Sequence, residues 1–340
     1  MHFVTSYINL ETKIPVVSTK LETRDYFGAI KARWSINRSN YKITPGLYAI
    51  GNPNKNSEVF VTSNYKLSFD HLRKNLVGLN AWILVLNTNG INVWCAAGKG
   101  TFGTTELVSK INEFSLNTIV DHKRIIVPQL GAVGISAHEV KKETGFNIKY
   151  GPVNASDIKD FLNKNYRSDI KIRTVNFRFK DRLILTPVEI VAHFKYLTLL
   201  FSAFFILSCL SRDGFSVDKG WDYLHIIILN LGGSYICGTV LTPIFLPYIP
   251  FRNFSFKGLI IGFIFSSIIT FFNINGNNIP ELISWLFINL AIASFTAMNF
   301  TGASTYTSLS GVKKEMRIAL PIQIGLFVIG LITWIILRFI

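Results

Sequence analysis

Residues 81–107 read AWILVLNTNGINVWCAAGKGTFGTTEL. The opening AWILVL is apolar without a break, and Asn89-Gly90 supplies a turn after it, which is the profile of a strand buried in the middle of a sheet. INVWCAA, residues 91–97, fits a strand, a turn or a short helix, because periodicity does not separate the three over so few residues. Cys95 lies within it and is the only cysteine outside the long apolar runs. Gly98, Lys99 and Gly100 follow, and glycines let a backbone approach a large flat partner closely. Lys99, four residues on, would share a face with Cys95 if the segment is helical. A free cysteine is equally a small buried hydrophobe, so both readings stand at this point.

A second pattern overlaps the first. GKGTFG, Gly98 to Gly103, satisfies G-x-G-x-x-G, with strand-like INVWCAA before it, helix-like TTELVSKINEF after it and Asp121 eighteen residues beyond Gly103. That spacing is a dinucleotide fingerprint and predicts a nicotinamide or flavin site. A phosphate-binding P-loop fits less well, since no glycine stands five residues before Gly98 and Gly100, not Ser or Thr, follows Lys99.

Outward from this stretch, strands and helices alternate. GLYAIG (46–51) and EVFVTS (58–63) read as a hairpin or two neighbouring strands, and SFDHLRKNL (68–76) as a short helix. Residues 104–114 predict a helix capped by Thr104, RIIVPQL (124–130) a strand, and residues 135–145 a helix ended by Gly145. FNIKYG reads as another strand and residues 155–165 as a helix starting near Ser156, while residues 1–45 read as a leading arm. The alternation predicts an open α/β sheet, Rossmann-like in class.

Composition divides the chain. It has 340 residues, 49% of them hydrophobic, with a mean hydropathy of +0.34, and the apolar weight falls after Arg182. The division predicts a soluble domain over 1–166, a basic juxtamembrane linker over 167–186 and a transmembrane domain over 187–340. Five apolar runs, about 187–210, 222–247, 256–275, 280–302 and 317–340, each reach the roughly 20 residues that cross a bilayer. Basic residues before the first run and between the second and third and the fourth and fifth place the amino terminus in the cytoplasm by the positive-inside rule. The start, MHFVTSYINLETKIP, is too polar for a secretory signal, which agrees with a cytoplasmic first domain in the cell (inner) membrane.

The net charge is +15, and 26 of the 35 Lys and Arg lie in residues 1–182 against 14 of the 20 Asp and Glu. A basic domain of this kind suits membrane lipid head groups or an acidic protein partner. Nucleic acid is disfavoured, since no basic-aromatic cluster or helix-turn-helix pattern is present. Cys95, Cys209 and Cys237 are too few for a disulfide framework or a four-cysteine cluster, so any redox centre here would draw electrons from another protein. His193, Lys195 and His225 read as residues near span ends, and Gly232, Gly233 and Gly238 as helix-packing positions.

NVWCAAGK, residues 92–99, resembles the signature of the mercury-methylating corrinoid membrane proteins, the HgcA family. TPGLYAIGNP, VTSNYKLSFD, PQLGAVGISAHEV and YGPVNASD resemble further segments of the same family. The region is also similar to the corrinoid-binding domain of the large subunit of the corrinoid iron-sulfur protein, which shares the order of motifs but not the Trp-Cys pair. Val133 departs from the commoner pattern, which has proline after Gly131-Ala132.

The resemblance implies a cobalt corrinoid (cobalamin-like) with Cys95 as axial ligand, Ile91, Asn92, Val93 and Trp94 along its lower face, and Thr62, Ser68 and Ala155 as further contacts. None of the six histidines stands in D-x-H-x-x-G, so no imidazole ligand is offered, and thiolate is the softer donor. The implied activity is corrinoid-dependent methyltransfer to mercury(II), forming methylmercury. A methyl-folate or methyl donor protein would supply the methyl group, and a ferredoxin-type iron-sulfur protein would re-reduce the cobalt. Two rivals remain: a membrane-anchored methyl carrier for another cellular acceptor, and a dinucleotide-binding membrane protein.

Overall fold

The structure, a computed structural model, describes residues 1–167, 169–300 and 309–340. Two units divide the chain, one of Met1–Ala32 with Ile36–Asn176, the other of Phe177–Ile340 with Arg33–Ser35.

The first unit is built on one seven-stranded sheet. Its strands are β1 (Val4–Asn9), β2 (Lys13–Val17), β3 (Gly46–Ile50), β4 (Glu58–Ser63), β5 (Ala81–Leu86), β6 (Arg124–Val127) and β7 (Asn147–Tyr150), ordered β1-β2-β3-β5-β4-β6-β7. β5, β4, β6 and β7 run parallel, whereas β3 is antiparallel to β5. All six residues of β5 are buried, as an unbroken apolar run requires. For the same reason β3 and β4 are not a hairpin: β5 inserts between them, because a strand this apolar needs a partner on both edges. The leading arm is likewise more ordered than the sequence suggested, contributing β1, β2 and helix α1 (Thr23–Arg33).

Alternation along the strands makes two cores. Leu47, Val59, Val61, Trp82, Leu84, Ile125 and Val127 face one side. They are covered by α3 (Val93–Lys99), α4 (Thr104–Glu113) and α5 (Ala137–Thr144). Tyr48, Phe60, Ile83, Val85 and Ile126 face the other, under α2 (Lys66–Asn75) and α6 (Ile158–Asn163). The result is a helix, sheet, helix sandwich with both faces covered. α4 is capped by Gly103, and Thr104 instead accepts a hydrogen bond at Oγ1 from the Ser136 amide at 2.8 Å. α5 ends on Gly145 at φ 78°, a left-handed position that suits glycine.

Beneath α2 lies a buried ion network. Lys66 Nζ contacts Asp25 and Asp70 at 2.6 Å each, and Arg73 contacts the same two carboxylates at 2.7 Å. Arg73 also donates to the Ser18 and Lys20 carbonyls at 2.5 and 3.0 Å, so the network fastens α1 and the chain after β2 to α2. Every charge here is paired, the condition under which burial is tolerated.

The second unit is helical, with α7 (Phe179–Ser208), α8 (Val217–Phe245), α9 (Phe254–Phe271), α10 (Ile279–Asn299) and α11 (Leu309–Ile336). Among the described residues five helices are long and apolar enough to cross a membrane. α8 carries two π-helical turns, Ile228–Gly232 and Cys237–Leu241. A two-stranded hairpin of Leu210–Ser211 and Gly214–Phe215 joins α7 to α8. Gly233 and Gly238 are indeed contact points: a Cβ would lie 2.1 Å from the Phe265 ring at the first and 2.5 Å from the Ala293 carbonyl at the second.

Two sequence expectations fail here. α7 begins at Phe179, so His193 and Lys195 lie at mid-helix rather than near a span end. Arg182, expected to reach lipid head groups, is buried and donates to the carbonyls of Phe177 at 2.6 Å and Ile244 at 3.1 Å. A guanidinium has five donors and no acceptor, so away from water it turns them to backbone carbonyls.

Replacing Arg73 by Met should leave Asp25 and Asp70 short of a partner, destabilising the unit by about 3–5 kcal/mol in denaturant unfolding of the full chain. Burial raises the Asp25 carboxyl, but hydrogen bonds from Lys66, the Glu22 amide and His2 outweigh it and hold the group well below the usual carboxylate range. Its stabilisation is therefore complete above about pH 4 and is lost as the pH falls through the depressed value. Asp25→Asn should flatten that acid limb of a stability profile.

Candidate functional site

The chain winds from β4 through α2 to β5 on one side, then crosses to β6 and β7 on the other. That reversal opens a crevice outside the carboxyl ends of β4 and β6, the place where open α/β sheets bind ligands. β4 ends on Ser63, and β6 ends on Val127 before Pro128 and Gln129. Ser63 is fully buried and its Oγ has no hydrogen-bond partner, and neither has the buried Oε1 of Gln129. Unmet polar atoms are rare inside proteins, so a pair of them at the two strand ends marks a place for a ligand or water. No sequence motif singled out either residue, although Ser63-Asn64 and Pro128-Gln129 end apolar strand runs with polar groups.

Asn64 governs the turn after β5. Its buried Oδ1 accepts from the Thr88 amide at 3.1 Å, the Thr88 hydroxyl at 2.9 Å and the Gly90 amide at 2.9 Å. Thr88 Oγ1 donates in turn to the Ile91 carbonyl at 2.7 Å. The turn is thus tied to β4, and α3 starts from a fixed point.

Asn92 caps α3, accepting from the Cys95 amide at 2.9 Å. Val93, Ala96 and Ala97 turn into the core, while Trp94 and Cys95 are half-buried and Gly98, Lys99 and Gly100 are exposed. A Cβ on Gly98 or Gly100 would meet nothing within 4 Å, so the surface beside Cys95 is bare. Cys209 and Cys237, by contrast, are buried. α3 packs against β4 and the Gln129–Gly131 turn, which sets it over the crevice. Close approach demands glycine twice there: a Cβ on Gly131 would lie 2.4 Å from the Phe102 ring, and one on Gly134 would lie 2.2 Å from the Phe102 carbonyl. Val133 is 79% exposed, so the missing proline touches no core contact. At the end of β7, Tyr150 donates to the Ile135 carbonyl at 2.7 Å, and burial pushes its phenol upward, which keeps it a neutral donor.

Ile91, Asn92, Val93, Trp94 and Cys95 therefore stand together at the entry to α3. Thr62, Ser68 and Ala155 do not join them. Thr62 is buried in β4 and alternates to the α2 side of the sheet, Ser68 lies in the first turn of α2, and Ala155 packs on the core beneath α2. All three remain at the carboxyl edge of the parallel strands, across the sheet from α3. Among the described residues no three His, Cys, Asp or Glu side chains gather as a metal site, so Cys95 would act as a lone protein ligand.

The dinucleotide fingerprint fails on its context. INVWCAA is not a strand: Gly98 closes a helix, Gly100 is its left-handed cap at φ 82°, and Gly103 caps the next helix. A pyrophosphate site needs a strand running directly into the glycine turn. Asp121 precedes β6, at the opposite edge of the sheet from the crevice, and pairs at 3.5 Å with Lys55.

Residues 32–162 match the family of the delta subunit of CO dehydrogenase/acetyl-CoA synthase. Similar proteins include the gamma subunits of the acetyl-CoA decarbonylase/synthase complex. That of Archaeoglobus fulgidus is 32% identical over 131 residues, 38% of this chain and 27% of that protein. That of Methanopyrus kandleri is 30% identical over 129 residues, 37% of this chain and 28% of that protein. That of Methanocaldococcus jannaschii is 31% identical over 139 residues, 39% of this chain and 28% of that protein. The chain spans little more than a quarter of the length of these relatives, and the family match ends before α7.

Asn64→Ala should strip two buried amides of their acceptor, costing about 1–3 kcal/mol each. Hydrogen exchange at Thr88 and Gly90 should accelerate selectively, with the β5 core amides unchanged.

Proposed function

We propose that the first unit binds a cobalt corrinoid through Cys95 and that the whole chain is a membrane-anchored methyltransferase acting on mercury(II). The observation that carries the reading is the placement of Cys95. Its thiol is half-buried beside a patch bare of side chains, on a helix pinned over the crevice of a sheet whose two flanking strand ends carry unmet polar atoms. The similarity to subunits of the acetyl-CoA decarbonylase/synthase complex supports a one-carbon role. The NVWCAAGK signature supports the choice of acceptor.

The residues present fit a tetrapyrrole. Gly98 and Gly100 leave room for a flat ring, Trp94 offers an aromatic edge, and Ser63 and Gln129 would meet polar substituents reaching into the crevice. When bound, the corrin would carry a methyl group and pass it with its bonding electrons to mercury(II), and a ferredoxin-type partner would return two electrons to the cobalt. The role of Cys95 is to hold the metal from below with a soft, electron-rich sulfur. Asn92 fixes the backbone of that cysteine, and Asn64 fixes the turn that delivers it. Ligand and supporting groups thus form one connected chain, as precise metal positioning requires.

The membrane half is read as an inner-membrane anchor with the first unit on the cytoplasmic side. Arg178, Lys180, Arg252, Lys313 and Lys314 would fall on that side by the positive-inside rule.

The full chain, purified without oxygen in the presence of cobalamin, should retain one cobalt per chain with the optical spectrum of a sulfur-ligated corrinoid. Cys95→Ala should keep the same helical content and melting temperature while methylmercury formation falls by about 100-fold or more. A chain that takes up no cobalt, or a Cys95→Ala protein with an unchanged spectrum and rate, would overturn the proposal. Methyl transfer to a competing cellular thiol with none to mercury would overturn the choice of acceptor alone.

A further inference from the structure

The helical unit holds a pocket of about 650 Å³ bounded by α7, α8, α10 and α11. Its walls are apolar and aromatic, including Leu200, Phe295, Ile324 and Phe327. Two polar side chains break them, His193 and Gln323. His193 lies 14 residues from the start of α7 and 15 from its end, and Gln323 lies 14 from the start of α11 and 13 from its end. Both therefore stand at mid-helix, where water is scarce in a spanning segment.

Neither side chain is fully satisfied. Gln323 is only 4% exposed; its Nε2 donates to Ser294 Oγ at 2.8 Å, but its Oε1 has no partner. His193 Nε2 lies 3.3 Å from the Asn299 carboxamide nitrogen, while its buried Nδ1 has no partner. With the amide donating to Nε2, the neutral ring carries its proton on Nδ1. The pocket thus presents one free donor and one free acceptor within hydrocarbon, and polar groups in spanning helices are functional sites by default.

We propose that this pocket binds a membrane quinol. The residues lining it include no Lys, Arg, Asp or Glu, so a charged lipid head group finds no counter-ion. An acyl chain would leave Nδ1 and Oε1 unmet. The occupant must be neutral, largely apolar, and equipped with both an acceptor for His193 and a donor for Gln323. A hydroquinone ring meets these terms: one hydroxyl donates to Gln323 Oε1 and the other oxygen accepts from His193 Nδ1. Tyr196, Phe295 and Phe327 supply flat walls for the ring, and the volume lies in the ordinary range for small-molecule sites. The site is independent of the corrinoid reading.

The test uses the full chain in nanodiscs of one synthetic phosphatidylcholine, titrated anaerobically with radiolabelled decylubiquinol against empty nanodiscs. Saturable binding of one quinol per chain is expected, weakened about tenfold or more in His193→Phe and Gln323→Leu. Leu200→Trp, which fills the pocket without touching the polar pair, should abolish binding even if Gln323→Leu perturbs the bundle. Thr270→Val, in a different groove, should bind normally. No binding above the empty nanodisc, equal binding by the pocket variants, or equal competition by decylbenzene, which lacks both oxygens, would overturn the proposal.

Discussion

A single buried carboxamide oxygen fixes the site. Asn64 stands at the end of β4, and its side chain accepts three donors from the turn after β5. A turn emerging from a buried strand exposes amides to no solvent, and each must find an acceptor or bear the full cost of desolvation. By meeting them from the neighbouring strand, Asn64 couples the two central strands at their carboxyl ends and dictates the direction in which Ile91–Cys95 departs. The position of the Cys95 sulfur is thus set by strand order, through one hydrogen-bond hub.

The segment VTSNYKLSFD shows how a short motif can serve two ends. Ser63 faces the crevice side of the sheet, whereas Lys66 and Asp70, a few residues on, are locked into the ion network under α2. That network and Asn64 hold opposite ends of the same connection, β4 to α2. A change in Lys66 or Asp70 would therefore reach the crevice through scaffold geometry rather than through contact with a ligand. Motif resemblance by itself does not sort these roles; burial and partners do.

Legibility tracked the range of the interactions. β5, α5 and the Gly145 cap were readable because an unbroken apolar run and a terminal glycine are local signals. The separation of β3 from β4 was not, since it depends on a third strand arriving later in the chain. The helix at Val93–Lys99 was ambiguous because seven residues give less than two turns of periodicity, and its cap, Asn92, settles it only once the turn before it is fixed. Ser63 and Gln129 were invisible for a similar reason: an unmet hydrogen bond is a property of surroundings. At the other end of the chain, the middle position of His193 depends on the first membrane helix beginning at Phe179, within a stretch whose charges suggested a linker.

Cysteine distribution bears on the proposed acceptor. Mercury(II) is a soft ion, and accessible thiolates would capture it before any methyl transfer. Of the three cysteines, Cys209 donates to the Phe205 carbonyl at 3.3 Å and is buried, and Cys237 is buried among the small residues of a π-helical turn. Cys95 alone is reachable, and as a metal ligand its sulfur would be covered. A chain organised in this way would leave no free thiol to compete with the methyl carbon for the metal ion. A carrier serving a thiol acceptor would gain nothing from such sparing use of cysteine, so the pattern weighs toward an electrophilic metal as the methyl group's destination.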